Sequence, residues 1–143
     1  ANYLIDKTCE VFATPVDVRF PEDKKKNDKE IFDVVQPDII VVCNEDKVKD
    51  KKSCLGAPDI VIEILSPSTA SKDCLKKKML YERNRVKHYW IVEPEEKEVY
   101  VYTLKNNDNY GTPEVYTKSD KIKVDGFEGL EIDLSLVFRK AIR

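Results

Sequence analysis

A carboxylate embedded in an apolar segment constrains this chain more than any other feature of its sequence. Residues 60–65 (IVIEIL) are mostly β-branched and lie between Pro58 and Pro67, which favours a strand buried on both faces over a helix. Glu63 stands in the middle of this segment. A buried carboxylate is costly unless it is paired, hydrogen-bonded or bound to a metal ion. The fold must therefore provide Glu63 with a partner.

A lysine-bearing helix is predicted to follow this strand, over about residues 71–84. Ser71 is suited to the N-cap, and Asp73 falls in the first turn, where the helix dipole favours an anion. Lys77 lies four residues from both Asp73 and Tyr81 and so shares a helix face with them. A second stripe is apolar, and we expect it to be packed against another part of the protein. Its residues are Leu75, Met79 and Val86.

Length and charge exclude several classes of protein. The 143 residues are enough for one domain with a core and too few for two. A net charge of -2 argues against a strongly cationic surface that surrounds a nucleic acid, although it permits a local basic cleft. No apolar run approaches the roughly 20 residues of a membrane span, and no signal-peptide pattern opens the sequence. We expect a cytoplasmic protein without a membrane segment.

The cysteines and the single histidine give little support to a zinc or hydrolase site. Cys9, Cys43, Cys54 and Cys74 form no Cys-x-x-Cys pair, so a structural zinc site is unsupported and reduced thiols are expected. His88 is the only histidine, which removes a two-histidine metal site within one chain and makes a serine–histidine hydrolase less attractive. We expect His88 to be a strand residue that faces solvent or a helix.

The remaining apolar segments predict further strands. Residues 9–20 are typical of one interrupted strand or two short ones. Residues 34–43 are predicted as a strand that contains a second carboxylate, Asp38. Two charged, lysine-rich segments are predicted as solvated loops, the first of them a hairpin loop. These loops cover residues 21–30 and 44–53.

The second half of the chain is predicted to be rich in hairpins. Residues 87–92 and 99–104 are predicted as an antiparallel hairpin, with their aromatic residues in the core or in cross-strand pairs. Residues 114–117 and 121–124 are expected to pair as a smaller hairpin, before a short helix capped by Asp133 or Ser135. The predicted fold class is α/β or α+β, a mixed, mostly antiparallel sheet flanked by one main helix in a single domain.

Two carboxylates in successive apolar strands suggest a metal site. If the strands are neighbours, Asp38 and Glu63 converge, and two carboxylates plus water suit Mg²⁺. Such an ion near a phosphodiester polarises the phosphoryl oxygen and generates hydroxide, while Lys77 could orient that water or stabilise the transition-state charge. In the alternative, Asp38 caps a turn after Pro37 and Glu63 pairs with a lysine. The residue pattern alone leaves both interpretations open.

Four parts of the sequence share a pattern with known proteins: residues 36–38 (QPD), residues 56–69 (GAPDIVIEILSPST), the set Asp73, Lys77 and Tyr81, and residues 89–94 (YWIVEP). Together they resemble the Uma-type restriction endonuclease family, a branch of the PD-(D/E)XK nuclease superfamily. The resemblance covers about residues 9–138. It implies a restriction-endonuclease-like fold and a Mg²⁺- or Mn²⁺-dependent endonuclease that hydrolyses DNA.

The resemblance also implies roles for individual residues. Asp38 and Glu63 would be catalytic acids that hold the metal ion, and the backbone carbonyl of Ile64 would be a third ligand. The chain departs from the superfamily pattern at Leu65, where the lysine of the acid-x-lysine triplet should stand. The matching position in this branch is Lys77, which would be the catalytic lysine.

The same resemblance implies supporting roles for four further residues and shows a second departure from the family pattern. Gln36, Asp59, Asp73 and Tyr81 are expected to support the site, with Asp59 either beside the ligands or purely structural. The helix that often precedes the first strand in this family is absent or reduced to residues 1–5. We therefore expect the single domain, residues 1–143, to lack that helix.

Two other functions stay open at this point. One is a non-catalytic nucleic-acid-binding or interaction module on a degenerate nuclease fold, for which a displaced lysine and a lost helix are typical. The other is a nuclease that acts on RNA. Many nucleases of this type are dimers, so a homodimer is also left open. The lysine-rich loops would contact phosphates if they border the cleft between Asp38 and Glu63.

Overall fold

The computed structural model describes residues 9–26, 29–50, 52–66 and 71–138. The strands of this part of the chain are β1 (Glu10–Ala13), β2 (Asp17–Lys26), β3 (Lys29–Val35), β4 (Ile39–Val42), β5 (Val48–Asp50), β6 (Ser53–Leu55), β7 (Ile60–Ile64), β8 (His88–Glu93), β9 (Glu98–Thr103), β10 (Glu114–Thr117), β11 (Lys121–Lys123) and β12 (Glu131–Asp133). The α-helices are α1 (Ser71–Arg83) and α2 (Leu134–Val137), and Glu45–Lys47 forms a 3₁₀ turn. The expected N-terminal remnant, residues 1–5, lies outside the described residues.

A six-stranded sheet forms the centre of the molecule, in the order β1-β4-β7-β8-β9-β10. Its pairs are antiparallel except for β7 and β8, which run parallel. A parallel pair needs a crossover connection, and α1 lies within that connection. The predicted fold, a mixed and mostly antiparallel sheet with one main helix, is confirmed.

Strand alternation divides the central sheet between two cores. Val61 and Glu63 point to the side of α1, whereas Ile60 and Ile62 point to the opposite side. The first core joins the central sheet to α1 and to strands β2 and β6. Its buried residues are Val16, Val18, Phe20, Ile40, Val42, Cys54, Val61, Tyr81, Val86, Tyr89, Ile91 and Tyr110.

The second core lies on the opposite face, under β11, β12 and α2. Its buried residues are Cys9, Val41, Ile60, Trp90, Val99, Val101, Ile122, Val124, Phe127, Leu134 and Phe138. The N-terminus of α2 is capped by Asp133, whose Oδ1 accepts a hydrogen bond from the backbone N–H of Ser135 at 3.0 Å. Of the two predicted caps, Asp133 is therefore the one used.

A second sheet of four strands, in the order β3-β2-β6-β5, corrects the prediction of two loops. Most of residues 21–30 belongs to the antiparallel pair β2–β3, and residues 44–53 contain the 3₁₀ turn and β5. Charged residues conceal the apolar alternation by which a strand is recognised, yet the backbone groups still pair across the hairpin. The hairpin predicted at residues 21–30 therefore exists, but its strands take up most of the segment that was predicted as loop. The prediction of a loop throughout residues 44–53 was wrong.

The predicted strand over residues 34–43 is in fact divided. β3 ends at Val35 and β4 begins at Ile39, so Asp38 lies in a bend and not inside a strand. Pro37 explains the break, because proline has no backbone N–H and restricts the residue before it. The bend places Asp38 directly at the start of β4.

The hairpins of the second half are partly as predicted. β8 and β9 form the expected antiparallel hairpin. The prediction that residues 114–117 and 121–124 pair as a smaller hairpin is wrong, because β10 pairs with β9 and β11 pairs with β12. Each of these strands pairs with a strand next to it in the chain, and short polar strands carry no signal that selects one neighbour over the other.

Cys9 and Cys43 form a disulfide, which corrects the expectation of four reduced thiols. β1 and β4 are antiparallel with Glu10 opposite Val42, and this register brings the preceding Cys9 against the following Cys43. Cys54 and Cys74 are free thiols. The pairing depends on strand register, which the cysteine spacing in the sequence does not reveal.

Two further predictions about side-chain environment are corrected. His88 is buried with 2% exposure and does not face solvent; its ring centroid lies 6.4 Å from that of Phe127 in the second core. In the apolar helix stripe, Val86 is buried but Leu75 and Met79 are 58% and 55% exposed. Among the described residues, no helix is long and apolar enough to cross a membrane.

Candidate active site

The pairing of β4 with β7 brings the two predicted acids together. Ile39 lies opposite Ile62 in antiparallel register, so the preceding residue, Asp38, stands next to Glu63. The Oδ2 atom of Asp38 accepts a hydrogen bond of 2.7 Å from the backbone N–H of Ile64. This bond fixes the Asp38 carboxylate against the end of β7.

Both acids line a cavity of about 360 Å³, which we call the Asp38–Glu63 cavity. Its lining residues are Gln36, Asp38, Glu63, Ile64, Leu65, Ser66, Asp73, Cys74, Lys77 and Tyr89. The cavity lies where β7 ends and where the chain enters α1. The three residues expected to be catalytic, Asp38, Glu63 and Lys77, are therefore together in the structure.

Glu63 is held by two side chains of α1. It is only 5% exposed, and its Oε2 accepts a hydrogen bond of 2.8 Å from the Tyr81 hydroxyl. The Lys77 Nζ lies 3.3 Å from the same oxygen. Burial raises the pKa of Glu63 above its ordinary value, while Tyr81 and Lys77 oppose that rise. The sequence analysis left open that Glu63 pairs with a lysine, and its contact with Lys77 is such a pair. In the structure this pair exists together with the approach of Asp38 to Glu63.

Helix geometry explains why both residues reach the same carboxylate. Lys77 and Tyr81 are four residues apart and therefore lie on one helix face. Tyr81 is fully buried, and its ring packs edge-on against Phe20 at 6.2 Å between centroids. The Lys77 side chain keeps 38% of its surface exposed, so the ammonium stands between the buried acid and solvent.

The other predicted site residues divide into two groups. Gln36, Ile64 and Asp73 line the Asp38–Glu63 cavity, and the Gln36 Nε2 donates to the Asp17 Oδ1 at 2.7 Å. The described bond at Ile64 uses its N–H, so a ligand role for its carbonyl stays a prediction. Asp59 does not line this cavity.

Asp59 lies at the opposite end of β7, where its Oδ2 accepts a hydrogen bond from the Cys43 N–H at 2.7 Å. It lines a separate cavity of about 340 Å³ together with the disulfide and His88. Of the two roles that the sequence left open for Asp59, this contact corresponds to the structural one.

Four residues of the cavity were not predicted as part of the site: Leu65, Ser66, Cys74 and Tyr89. Cys74 lies three residues before Lys77 on α1, and burial raises the pKa of its thiol. Tyr89 was expected only in the core; it is fully buried and also lines the cavity. Strand alternation could have indicated Tyr89, because β8 runs beside β7 and Tyr89 is opposite Val61, on the face that carries Glu63.

The donor set fits a hard divalent cation. Within the described ranges, no three side chains of His, Cys, Asp or Glu form a complete metal site. An ion bound here would therefore use the two carboxylates and complete its shell with backbone oxygen and water. That incomplete protein shell is the arrangement Mg²⁺ prefers, since it usually keeps several waters and takes one or two carboxylates.

Comparisons with known proteins agree with the fold. A crystal structure described as a putative nuclease belonging to DUF820 from Anabaena variabilis is similar, with a TM-score of 0.72 and 20% sequence identity; the match covers 96% of this chain and 72% of that one. No curated protein matches the chain. The model of the Uma2 family, described as putative restriction endonuclease, matches residues 1–135. The chain therefore belongs to the Uma2 putative restriction endonuclease family.

Proposed function

We propose that this protein is a metal-dependent endonuclease that hydrolyses DNA phosphodiester bonds. One observation carries the proposal: Asp38 and Glu63 meet at adjacent strand ends in one cavity, with the Lys77 ammonium 3.3 Å from Glu63. Membership of a family described as restriction endonucleases supports the choice of a nuclease over other metal-dependent hydrolases.

Asp38, Glu63 and the carbonyl of Ile64 would hold Mg²⁺ or Mn²⁺. When bound, the ion would polarise a phosphoryl oxygen and lower the pKa of the water that it binds. The protein contributes the orientation of its ligands. The Ile64 N–H holds one Asp38 oxygen, and the Tyr81 hydroxyl holds one Glu63 oxygen, so both carboxylates are fixed before any ligand arrives.

Lys77 would act on the phosphate or on the attacking water. Its ammonium sits at the mouth of the cavity, with part of its surface exposed. A fixed positive charge at this place stabilises the negative charge that develops on the phosphoryl oxygens during the displacement. The lysine thereby takes the part that the acid-x-lysine triplet has in related nucleases, but from α1 and not from β7.

The DNA substrate would be held by local charge, because the net charge of the chain is only -2. Lys77 on α1 lines the cavity and would make such a contact. Lysine contacts to phosphates position a duplex without reading its sequence. A homodimer would allow both strands to be cut, and sedimentation of the protein with a short duplex tests that assembly.

The decisive experiment is calorimetric titration of Mn²⁺ into the wild-type protein and into Glu63→Gln. A matched control is Glu96→Gln, which changes an exposed acid in the β8–β9 turn. We expect one site in the wild type and the control and none in Glu63→Gln. Absence of binding to the wild-type protein would contradict the proposal. Supercoiled plasmid and a structured RNA then serve as the first two substrates.

A non-catalytic nucleic-acid-binding module is the second candidate. The absence of the triplet lysine favours it, because Leu65 stands where that lysine should be and a displaced lysine is typical of a degenerate nuclease fold. In this case DNA affinity should depend on salt and survive Asp38→Ala, with no cleavage by the wild type. Loss of cleavage in Asp38→Ala with retained DNA binding would instead support the enzyme.

A further inference from the structure

The hydroxyl of Tyr89 is the most unusual polar group near the site. Tyr89 is fully buried, and within the described part of the chain its hydroxyl oxygen has no hydrogen-bond partner. Such groups are rare in folded proteins, and an unseen water or ion is a common explanation. The residue also lines the Asp38–Glu63 cavity. Its hydroxyl oxygen is almost wholly enclosed, so a partner there would be a single enclosed water at the cavity wall and not bulk solvent.

Packing fixes the Tyr89 ring in this position. Its centroid lies 4.8 Å from that of Tyr81 and 5.9 Å from that of Tyr102, on which it stacks with an interplanar angle of 17°. The hydroxyl therefore cannot swing away to find another partner. The same packing would be made by phenylalanine, so the hydroxyl itself is not needed to fill the core.

Glu63 offers a second polar partner for a water molecule. Both contacts that the described residues make with its carboxylate are to Oε2, which leaves Oε1 available. Glu63 and Tyr89 project from the same face of the paired strands β7 and β8. A buried water needs a polar site of sufficient volume with two to four partners, and Glu63 and Tyr89 both line the same cavity of about 360 Å³.

We propose that the Tyr89 hydroxyl holds a water molecule in the Asp38–Glu63 cavity and positions solvent beside Glu63. Tyr89 is thus a positioning residue. Its effect on metal binding and cleavage rests on the proposed function, whereas the presence of the water does not. Trp90 shows the contrast: its Nε1 is also buried and unpartnered among the described residues, but it faces the second core and does not line this cavity.

The test is Tyr89→Phe, which removes only the hydroxyl. The matched control is Tyr102→Phe, which changes the stacking partner outside the cavity lining. We expect Tyr89→Phe to lower the thermal midpoint of the metal-free protein by about 2–4 °C, because the water loses a partner. We also expect it to weaken Mn²⁺ binding about tenfold, as mutations around metal ligands do. The control should leave Mn²⁺ affinity unchanged.

The opposite result would overturn the proposal. If the hydroxyl is merely unpartnered, its removal relieves a buried polar group, so Tyr89→Phe should raise the midpoint and leave Mn²⁺ affinity as in the wild type. A high-resolution crystal structure of the wild-type protein gives a second check that needs no variant. Density for water within hydrogen-bond distance of the Tyr89 oxygen supports the proposal, and a dry hydroxyl contradicts it.

These outcomes separate this inference from the proposed function. A wild-type protein that binds no Mn²⁺ would remove the nuclease proposal, yet the midpoint of the metal-free variant and the crystal structure would still decide whether Tyr89 holds a water. Conversely, normal Mn²⁺ binding with a dry Tyr89 would leave the metal site intact and remove only the positioning role.

Discussion

Lys77 is the residue on which the site differs most from an acid-x-lysine triplet. Lys77→Met keeps much of the apolar stem but removes the charge beside Glu63. We expect Mn²⁺ binding to persist and cleavage to fall by about 10²–10³-fold, the usual effect of removing one transition-state donor. The effect on stability should be only about 1 kcal/mol or less, since the lysine is partly exposed and water screens the pair.

The neighbouring lysine provides the control for this prediction. Lys76 is exposed at the preceding position of α1 and does not line the cavity, so Lys76→Met removes the same charge without touching Glu63. Single-turnover cleavage of a labelled duplex compares the two variants. Equal rates for Lys77→Met and the wild type would exclude a catalytic role for Lys77.

His88 should make stability depend on pH. Burial lowers its pKa below the ordinary value, although a hydrogen bond to the backbone of Asp125 opposes the shift. The unfolded chain therefore binds a proton at a higher pH than the folded one, and stability decreases as pH falls below about 6.5. The slope should be at most about 1.4 kcal/mol per pH unit.

Urea unfolding between pH 7.5 and 5.5 measures this slope. His88→Gln should flatten the profile, since it cannot take up the proton. A variant that retains the full slope would show that another group is responsible.

At the scale of elements, the start of β4 and the end of β7 depend on each other through Asp38. Asp38→Asn retains a side-chain oxygen that can accept from the Ile64 N–H, so we expect a folded protein that no longer binds Mn²⁺. Asp38→Ala leaves the N–H without its acceptor and should cost a further 1–2 kcal/mol or so. Denaturant midpoints measure the stability that the hydrogen bond contributes, and calorimetry measures the Mn²⁺ binding that needs the charge. Together the two variants separate these two effects of Asp38. Equal stability of both would show that the bond does not hold these strand ends.

The disulfide makes a second link between elements, because it joins the start of β1 to the end of β4. It closes a loop with a sequence separation of 34 residues, and such a crosslink contributes about 2–4 kcal/mol. We expect the double variant Cys9→Ser/Cys43→Ser to lose that amount in urea unfolding. Cys74→Ser, which removes a free thiol, is the control. Four titratable thiols in the unreduced wild-type protein would contradict the pairing.

At the scale of the whole molecule, local patterns predicted more than long-range pairing. The strand around Glu63, helix α1 to within a residue or two, and the β8–β9 hairpin follow from signals carried within each segment. The grouping of Asp38 with Glu63 and Lys77 was also expected, although their roles stay predictions. The helix pattern showed that Leu75 and Met79 share a stripe but could not show which stripe meets the sheet.

Two of the errors share a physical cause, which is dependence on how strands align. The Cys9–Cys43 bond and the pairing of β10 with β9 follow from strand register and from the choice of partner strand. A one-residue shift in register exchanges the faces of a strand, and no local composition reports it. The charged hairpin of β2 and β3 was missed for a related reason, since its backbone pairing leaves little apolar signal.

The position of Lys77 on α1 has a consequence for how activity could be lost. In an acid-x-lysine triplet, one strand carries both groups, and their spacing is built into the backbone. Here the spacing exists only while α1 is seated on the sheet through Tyr81 and Val86. A chain with an intact sheet and a displaced helix would keep its carboxylates and lose its lysine. Turnover in this protein would then report on the docking of a single helix as directly as on the chemistry.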